Sequence, residues 1–92
     1  MKTKETFSLQ IDAVFDIHGQ GIIVTGRVET GKIKTGDLLK ISGNNIELST
    51  KCLKLQKYLR PITEAAAGEY IGITLSDVSK SQISRGMQLS SD

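Results

Sequence analysis

Tryptophan is absent, and cysteine, histidine and proline occur once each. A lone cysteine excludes an intrachain disulfide. Cys52 and His18 together fall short of the ligand set of a zinc site. Cys52 sits in a strand-like run and reads as a small apolar residue, buried or half-buried. His18 precedes a glycine turn and has no acid–base partner identifiable from sequence, so it reads as a solvent-facing turn residue. No apolar run approaches the ~20 residues needed to cross a bilayer, so no membrane contact is expected. The opening MKTKETFSLQ carries lysines without the apolar stretch of a signal peptide. A cytoplasmic location is therefore expected. Net charge is only +2, which is compatible with RNA or an acidic partner but requires neither. At 92 residues the chain reads as a single domain spanning 1–92, with one modest core and little room for a second lobe.

What is present is alternation. Phe7, Leu9, Ile11, Ala13 and Phe15 fall on every second position, the mark of a strand with one buried face. In Gly21 to Glu29, Ile22, Val24, Gly26 and Val28 share the core face, which puts Ile23 outward beside Thr25 and Arg27. Turn signals at Thr30-Gly31-Lys32 and Thr35-Gly36-Asp37 flank Ile33. A third strand carries Leu39 and Ile41, and Gly43-Asn44-Asn45 predicts a hairpin. Ile46 to Tyr58 is a fourth extended run whose parity slips between Cys52 and Leu53, predicting a bulge or break. Pro61 is expected to end it, with a loop over Glu64 to Gly68. Ile71, Ile73 and Leu75 then face inward and Gly72 and Thr74 outward. One helical turn within Ser79–Ser84 precedes a last strand with Met87 and Leu89. About six short strands with almost no helix predict an all-β fold, a small closed six-stranded antiparallel barrel.

The glycine-rich stretch GQGIIVTGRVETGKIKTGD (Gly19–Asp37) invites a phosphate-binding reading, and its neighbours refuse it. Gly26 and Gly31 have P-loop spacing and Lys32 follows, but Ile33 stands where Ser or Thr should hold magnesium. The segment continues as strand, with no helix N-terminus to face a phosphate. Gly19-Gln20-Gly21 also runs into a strand, which fails the dinucleotide fingerprint. The glycines read as turn and bulge residues of a barrel. Lys32 and Lys34 read first as a solvated rim and second as phosphate contacts. Asp12 and Asp16 are not marked as paired carboxylates, and Tyr58 and Tyr70 read as half-buried strand residues. No nucleophile–base pair or metal cluster can be assembled, so an enzyme, a nucleotide and a cofactor are not expected.

Ile11–Asp37, with Thr25-Gly26-Arg27-Val28-Glu29-x-Gly31 at its centre, resembles the second domain of elongation factor Tu and related translational GTPases. AGEYIGITL (Ala67–Leu75) is similar to that domain's Ala-Gly-x-x-Val-Gly strand, and ISRGMQL (Ile83–Leu89) to its Arg-Gly ending. The resemblance covers about Phe7 to Leu89 and implies a stand-alone six-stranded barrel of this type. The P-loop, guanine-reading and switch motifs of the GTPase domain are not in this sequence, so a binding domain without GTPase activity is implied.

In that family the barrel helps hold the 3′ end of aminoacylated transfer RNA and touches the small ribosomal subunit. Carried over residue by residue, Ile17 and Ile23 match aliphatic positions of the terminal-adenine pocket. Gln56 stands where the family has glutamate, and Thr74 where an aliphatic residue is usual. Gln20 and Leu59 stand where elongation factor Tu has arginines. The pocket is expected to keep its shape with weakened chemistry, because each lost arginine removes a charge-assisted bond. The RNA-binding candidates are Ile17, Gln20, Ile23, Gln56 and Thr74, with Lys32 and Lys34. The favoured partner is a transfer RNA 3′ end or ribosomal RNA. The alternatives are a module binding a translation factor or ribosomal protein, and an excised or relic domain of a longer translational GTPase.

Overall fold

The computed structural model describes residues 6–91; the first five residues of the opening stretch, read as lacking the apolar run of a signal peptide, lie outside the described residues. In chain order the strands are β1 (Ser8–Gln10), β2 (Ala13–Ile17), β3 (Gly21–Thr30), β4 (Lys32–Lys34), β5 (Leu38–Gly43) and β6 (Ile46–Lys57). They continue with β7 (Arg60–Ile62), β8 (Glu64–Ala66), β9 (Tyr70–Leu75) and β10 (Gln88–Ser91), and a 3-10 turn lies at Lys80–Gln82. Six of them pair in the order β1-β10-β5-β6-β9-β3, all antiparallel, and β3 pairs back onto β1 to close the barrel. The predicted closed six-stranded barrel is the observed fold. The short strands β4 and β8 form a separate ribbon.

Alternation explains which faces turn inward. Ile22, Val24 and Val28 on β3 and Ile71, Ile73 and Leu75 on β9 are buried in one cluster with Leu9, Ile41, Leu55 and Leu89. Fully burying such a side chain contributes about 1.5–3 kcal/mol, so these rows carry the stability of a domain this small. The expected bulge on β6 is present, as a register shift against β9 between Cys52 and Lys54. The hairpin at Asn44 and Asn45 is also present, with both residues at positive φ (53° and 65°).

Three expectations need correction. The first alternating run does not continue to Phe15. Phe7, Leu9 and Ile11 are buried, but Phe15 is 46% exposed and Val14 packs against the core instead. The reason is a break at Ile11 and Asp12. Ile11 bonds through its N–H and carbonyl to Met87 and Gly86 of the opposite side, while Asp12 N–H turns to Thr25. One added residue there flips the parity of everything after it.

Pro61 does not end the fourth run. β6 stops at Lys57, and Pro61 lies in β7, in register with Gln56. Because β7 pairs with β6 alone, the missing proline N–H leaves no ladder bond unmade. The expected loop after it contains β8, which pairs with β4.

Tyr58 is not a strand residue. Tyr58 and Leu59 form the β6–β7 turn, with φ of 54° and 64°. They are 86% and 90% exposed, and Tyr70 is also exposed. A left-handed backbone costs a residue other than glycine roughly 1–2 kcal/mol, and bulky side chains lack the local hydrogen bonds that ease it for asparagine.

Gly26 marks where the first strand crosses β3. A Cβ there would lie 2.5 Å from the Gln10 carbonyl oxygen and 2.8 Å from Leu9 Cδ2. Both neighbours are fixed, one by backbone and one by the core. Gly26→Ala is expected to lower stability by about 1–3 kcal/mol, the usual cost of overpacking, measured as a fall in the urea unfolding midpoint.

Candidate functional site

Above the closed girdle, β2, β3, β9, β6 and β7 form an open upper sheet. Its inner row, Val14–Val24–Ile73–Leu55–Ile62, is in register across all five strands and wholly apolar. The outer rows follow from the same register: Phe15–Ile23–Thr74–Lys54 and, beside it, Ala13–Thr25–Gly72–Gln56–Pro61. Strand pairing therefore brings Ile23, Gln56 and Thr74 to one face, although they are far apart in sequence.

A groove of about 430 Å³ opens on that face, lined by Gln20, Lys54, Gln56, Leu59, Pro61 and Thr74 together with Thr35, Leu55 and Ile62. Gln20 reaches it from the β2–β3 turn, where its N–H donates to the Ile17 carbonyl at 2.8 Å. Gln56 lies flat over Gly72: a Cβ on that glycine would come within 3.1 Å of Gln56 Cγ and 3.2 Å of Nε2. The Gln56 amide and the Thr74 hydroxyl make no hydrogen bond to other described residues. Both are therefore available to a ligand.

The other candidates fall elsewhere. Ile23 is on the outer face and outside the core cluster, yet only 4% exposed. It lies covered between its row neighbours Phe15 and Thr74 and is not a solvent-facing contact. Ile17 ends β2 at the rim of the sheet, half exposed and paired with Gly21. Lys32 and Lys34 are exposed on the β4–β8 ribbon and line neither groove. The sequence reading missed Lys54 as a groove residue. Its parity relative to Gln56 was the available signal, obscured by the bulge just before it.

A second concavity holds Asp12, Arg27, Glu29, Tyr70 and Arg85. Its Tyr70, Asp12, Arg27 and Glu29 side chains already have partners within the protein. The Tyr70 hydroxyl donates to Asp12 Oδ2 at 2.6 Å, Arg27 donates to the Gly68 carbonyl at 2.6 Å, and Gln88 donates to Glu29 at 2.8 Å. This is a strut between strand ends. At the base of the β6–β7 hairpin, Lys57 Nζ donates to Glu69 Oε1 at 2.8 Å, and Glu69 Oε2 accepts the Ala66 N–H. The Lys57 bond holds the Glu69 carboxyl below its usual range, and Glu69 in turn holds the ammonium above its own. The carboxylate contribution is lost only as pH falls through that lowered value, and the ammonium contribution only as pH rises through the raised one, so the pair is intact at neutral pH.

Among the described residues no group of three or more His, Cys, Asp or Glu side chains could hold a metal. No helix of the described residues is long and apolar enough to cross a membrane. The geometry is that of a closed barrel wall with a recessed groove on its outer face. The family model described as elongation factor Tu domain 2 matches residues 21–90, and the chain belongs to that family. It is a translation-factor-related module. Ile17 and Gln20 lie just ahead of the matched stretch.

Burial, and then the Asp37 charge, push the Cys52 thiol up from 9.0 to about 11. The thiol is thus neutral and shielded, unlike a reactive cysteine. The native protein should resist iodoacetamide at about pH 8 and react once unfolded in urea. The unfolded thiol ionises first, so stability should be complete below the unfolded value of 9.0 and decline as pH rises toward the folded value of about 11. Cys52→Ala should remove that part of the decline in urea midpoints measured across the window.

Proposed function

We propose that this barrel is an RNA-contacting module of the translation apparatus, without GTPase activity of its own, that takes the unpaired end of a transfer RNA or a segment of ribosomal RNA on the outer face of its upper sheet. A cytoplasmic setting goes with that reading. The observation that carries it is the convergence of Gln20, Gln56 and Thr74, from three separate parts of the chain, on one groove beside Lys54. Gln56 offers an amide donor and acceptor for a base edge or a ribose 2′-hydroxyl, and the Thr74 hydroxyl can serve either role. Lys54 supplies charge for a phosphate. Phe15 and Ile17 give an exposed apolar shelf against which a base can lie. With glutamine in place of the family's glutamate and no arginine at Gln20 or Leu59, binding is modest, and the part that Lys54 supplies weakens as salt rises.

A second reading rests on the exposed side chains of that shelf. Phe15 is 46% and Ile17 38% exposed on an edge strand, β2, that pairs only with β3. They could seat a translation-factor or ribosomal protein, in which case affinity would tolerate salt.

Isotopically labelled protein titrated with a short RNA ending in CCA separates the two. Amide shifts are expected at Gln20, Gln56 and Thr74 at low salt, fading as salt rises. Lys54→Glu should weaken binding and lower the salt slope by about one. Gln56→Ala should weaken binding with the slope unchanged. These two positions carry exposed or half-buried side chains, so the substitutions spare the fold, whereas a charge at Ile23 would be buried. An absence of shifts at low salt overturns the RNA reading.

A further inference from the structure

We propose that the outer wall formed by β5 and β6, at Leu38 and Leu53, docks an acidic amphipathic segment of a partner protein, on a surface separate from the groove. The outward rows of the closed girdle are otherwise polar. Register across β1, β10, β5 and β6 sets Ser8–Ser90–Lys40–Ser49 in one row and Gln10–Gln88–Ser42–Glu47 in another. The row beyond Lys40 and Ser49 breaks that pattern. Leu38 stands directly opposite Lys51 and is 62% exposed. Leu53, two residues on from Lys51 with the buried Cys52 between them, is 49% exposed. The Gly36 N–H donates to the Cys52 carbonyl at 2.7 Å and the Cys52 N–H to the Asp37 carbonyl at 2.9 Å, so the two segments stay together past the last ladder pair. Leu38 and Leu53 are diagonal neighbours in this pairing, a relation that spans about 7–8 Å and lies within reach of long side chains.

Neither leucine belongs to the core cluster, so the barrel's own packing does not call for an aliphatic side chain at either position. Together they are apolar area that a partner can cover. Charge says which partner. Lys51 lies opposite Leu38 and Lys54 follows Leu53 in the chain. Both lysines are exposed, and neither makes an ion pair among the described residues. The carboxylate next to Leu38 in the chain, Asp37, is turned onto the Lys34 N–H at 2.8 Å. A protein segment that presents aliphatic side chains between carboxylates complements this wall in both shape of polarity and sign of charge. A second copy does not, because a two-fold pairing on this wall would set its lysines against their own counterparts. RNA fits less well, because leucine offers no aromatic face on which a base can stack.

The test titrates the isotopically labelled full chain with two synthetic helical peptides. Both carry leucines at i, i+3, i+4 and i+7 of one face; glutamates flank them in one peptide and lysines in the other. The glutamate peptide should shift the amides of Leu38, Lys51 and Leu53, and the lysine peptide should not. Leu38→Ser and Leu53→Ser should each weaken that binding about ten-fold, as expected when one leucine contact is lost. Because both side chains are exposed, the urea midpoint and the response to the CCA-ending RNA should stay as in the unaltered protein. Lys51→Glu should weaken peptide binding and flatten its dependence on salt. Equal affinity for the two peptides, or no shifts with the glutamate peptide at low salt, overturns the proposal. Shifts confined to Phe15 and Ile17 overturn it in favour of the edge strand. Shifts at Leu38 and Leu53 that grow with protein concentration alone overturn it in favour of a second copy, and shifts there with the RNA in favour of nucleic acid.

Discussion

The crossing of the first strand over Gly26 is the constraint from which the rest of the architecture follows. β3 is ten residues long and serves two sheets at once. Its lower half closes the barrel against β1, and its upper half pairs with β2 and β9. The first strand must bend between these halves, and it does so at Ile11 and Asp12, directly where Gly26 leaves room for Gln10 and Leu9. Without that approach the parity of β2 would not flip. Phe15 would be drawn toward the core, and the outer shelf would not exist.

The same geometry sets the character of the groove. Once the inner row from Val14 to Ile62 is committed to the core, the adjoining rows are forced outward by the two-residue period of a strand. Lys54, Gln56 and Thr74 become neighbours because the strands are in register, not because anything in the groove attracts them. Polar side chains without internal partners can sit there because the groove is open to solvent, which reaches the exposed Lys54 and the half-buried Gln56. The second concavity shows the opposite outcome. Its Tyr70 hydroxyl bonds Asp12, Arg27 bonds the Gly68 carbonyl and Glu29 accepts from Gln88, so these polar groups already have partners within the protein.

The turns at the two ends of β6 differ in kind. At Asn44 and Asn45 the turn residues suit the turn. At Tyr58 and Leu59 they do not, and the strain is tolerated because the rest of the barrel is closed and well buried. Lys57 and Glu69 tie the base of that strained hairpin to the loop before β9, so the tip projects from a fixed support.

Periodicity alone was enough for the class of fold, the buried face of β3 and β9, the hairpin at Asn44 and Asn45 and the bulge after Cys52. Each depends on side chains a few residues apart, and local spacing records them. The family was legible in Thr25-Gly26-Arg27-Val28-Glu29 and in the two later motifs, because close backbone approaches and turns leave few alternatives at such glycines. Of the candidate RNA-binding residues, Gln20, Gln56 and Thr74 line one groove, whereas Lys32 and Lys34 lie on the β4–β8 ribbon. What sequence could not decide was where alternation would be interrupted, that Ile23 would be covered, that Lys54 would join the groove, and that Tyr58 and Leu59 would turn the chain. These outcomes depend on which strands pair and in what register, and a register is settled only by contacts between residues distant along the chain.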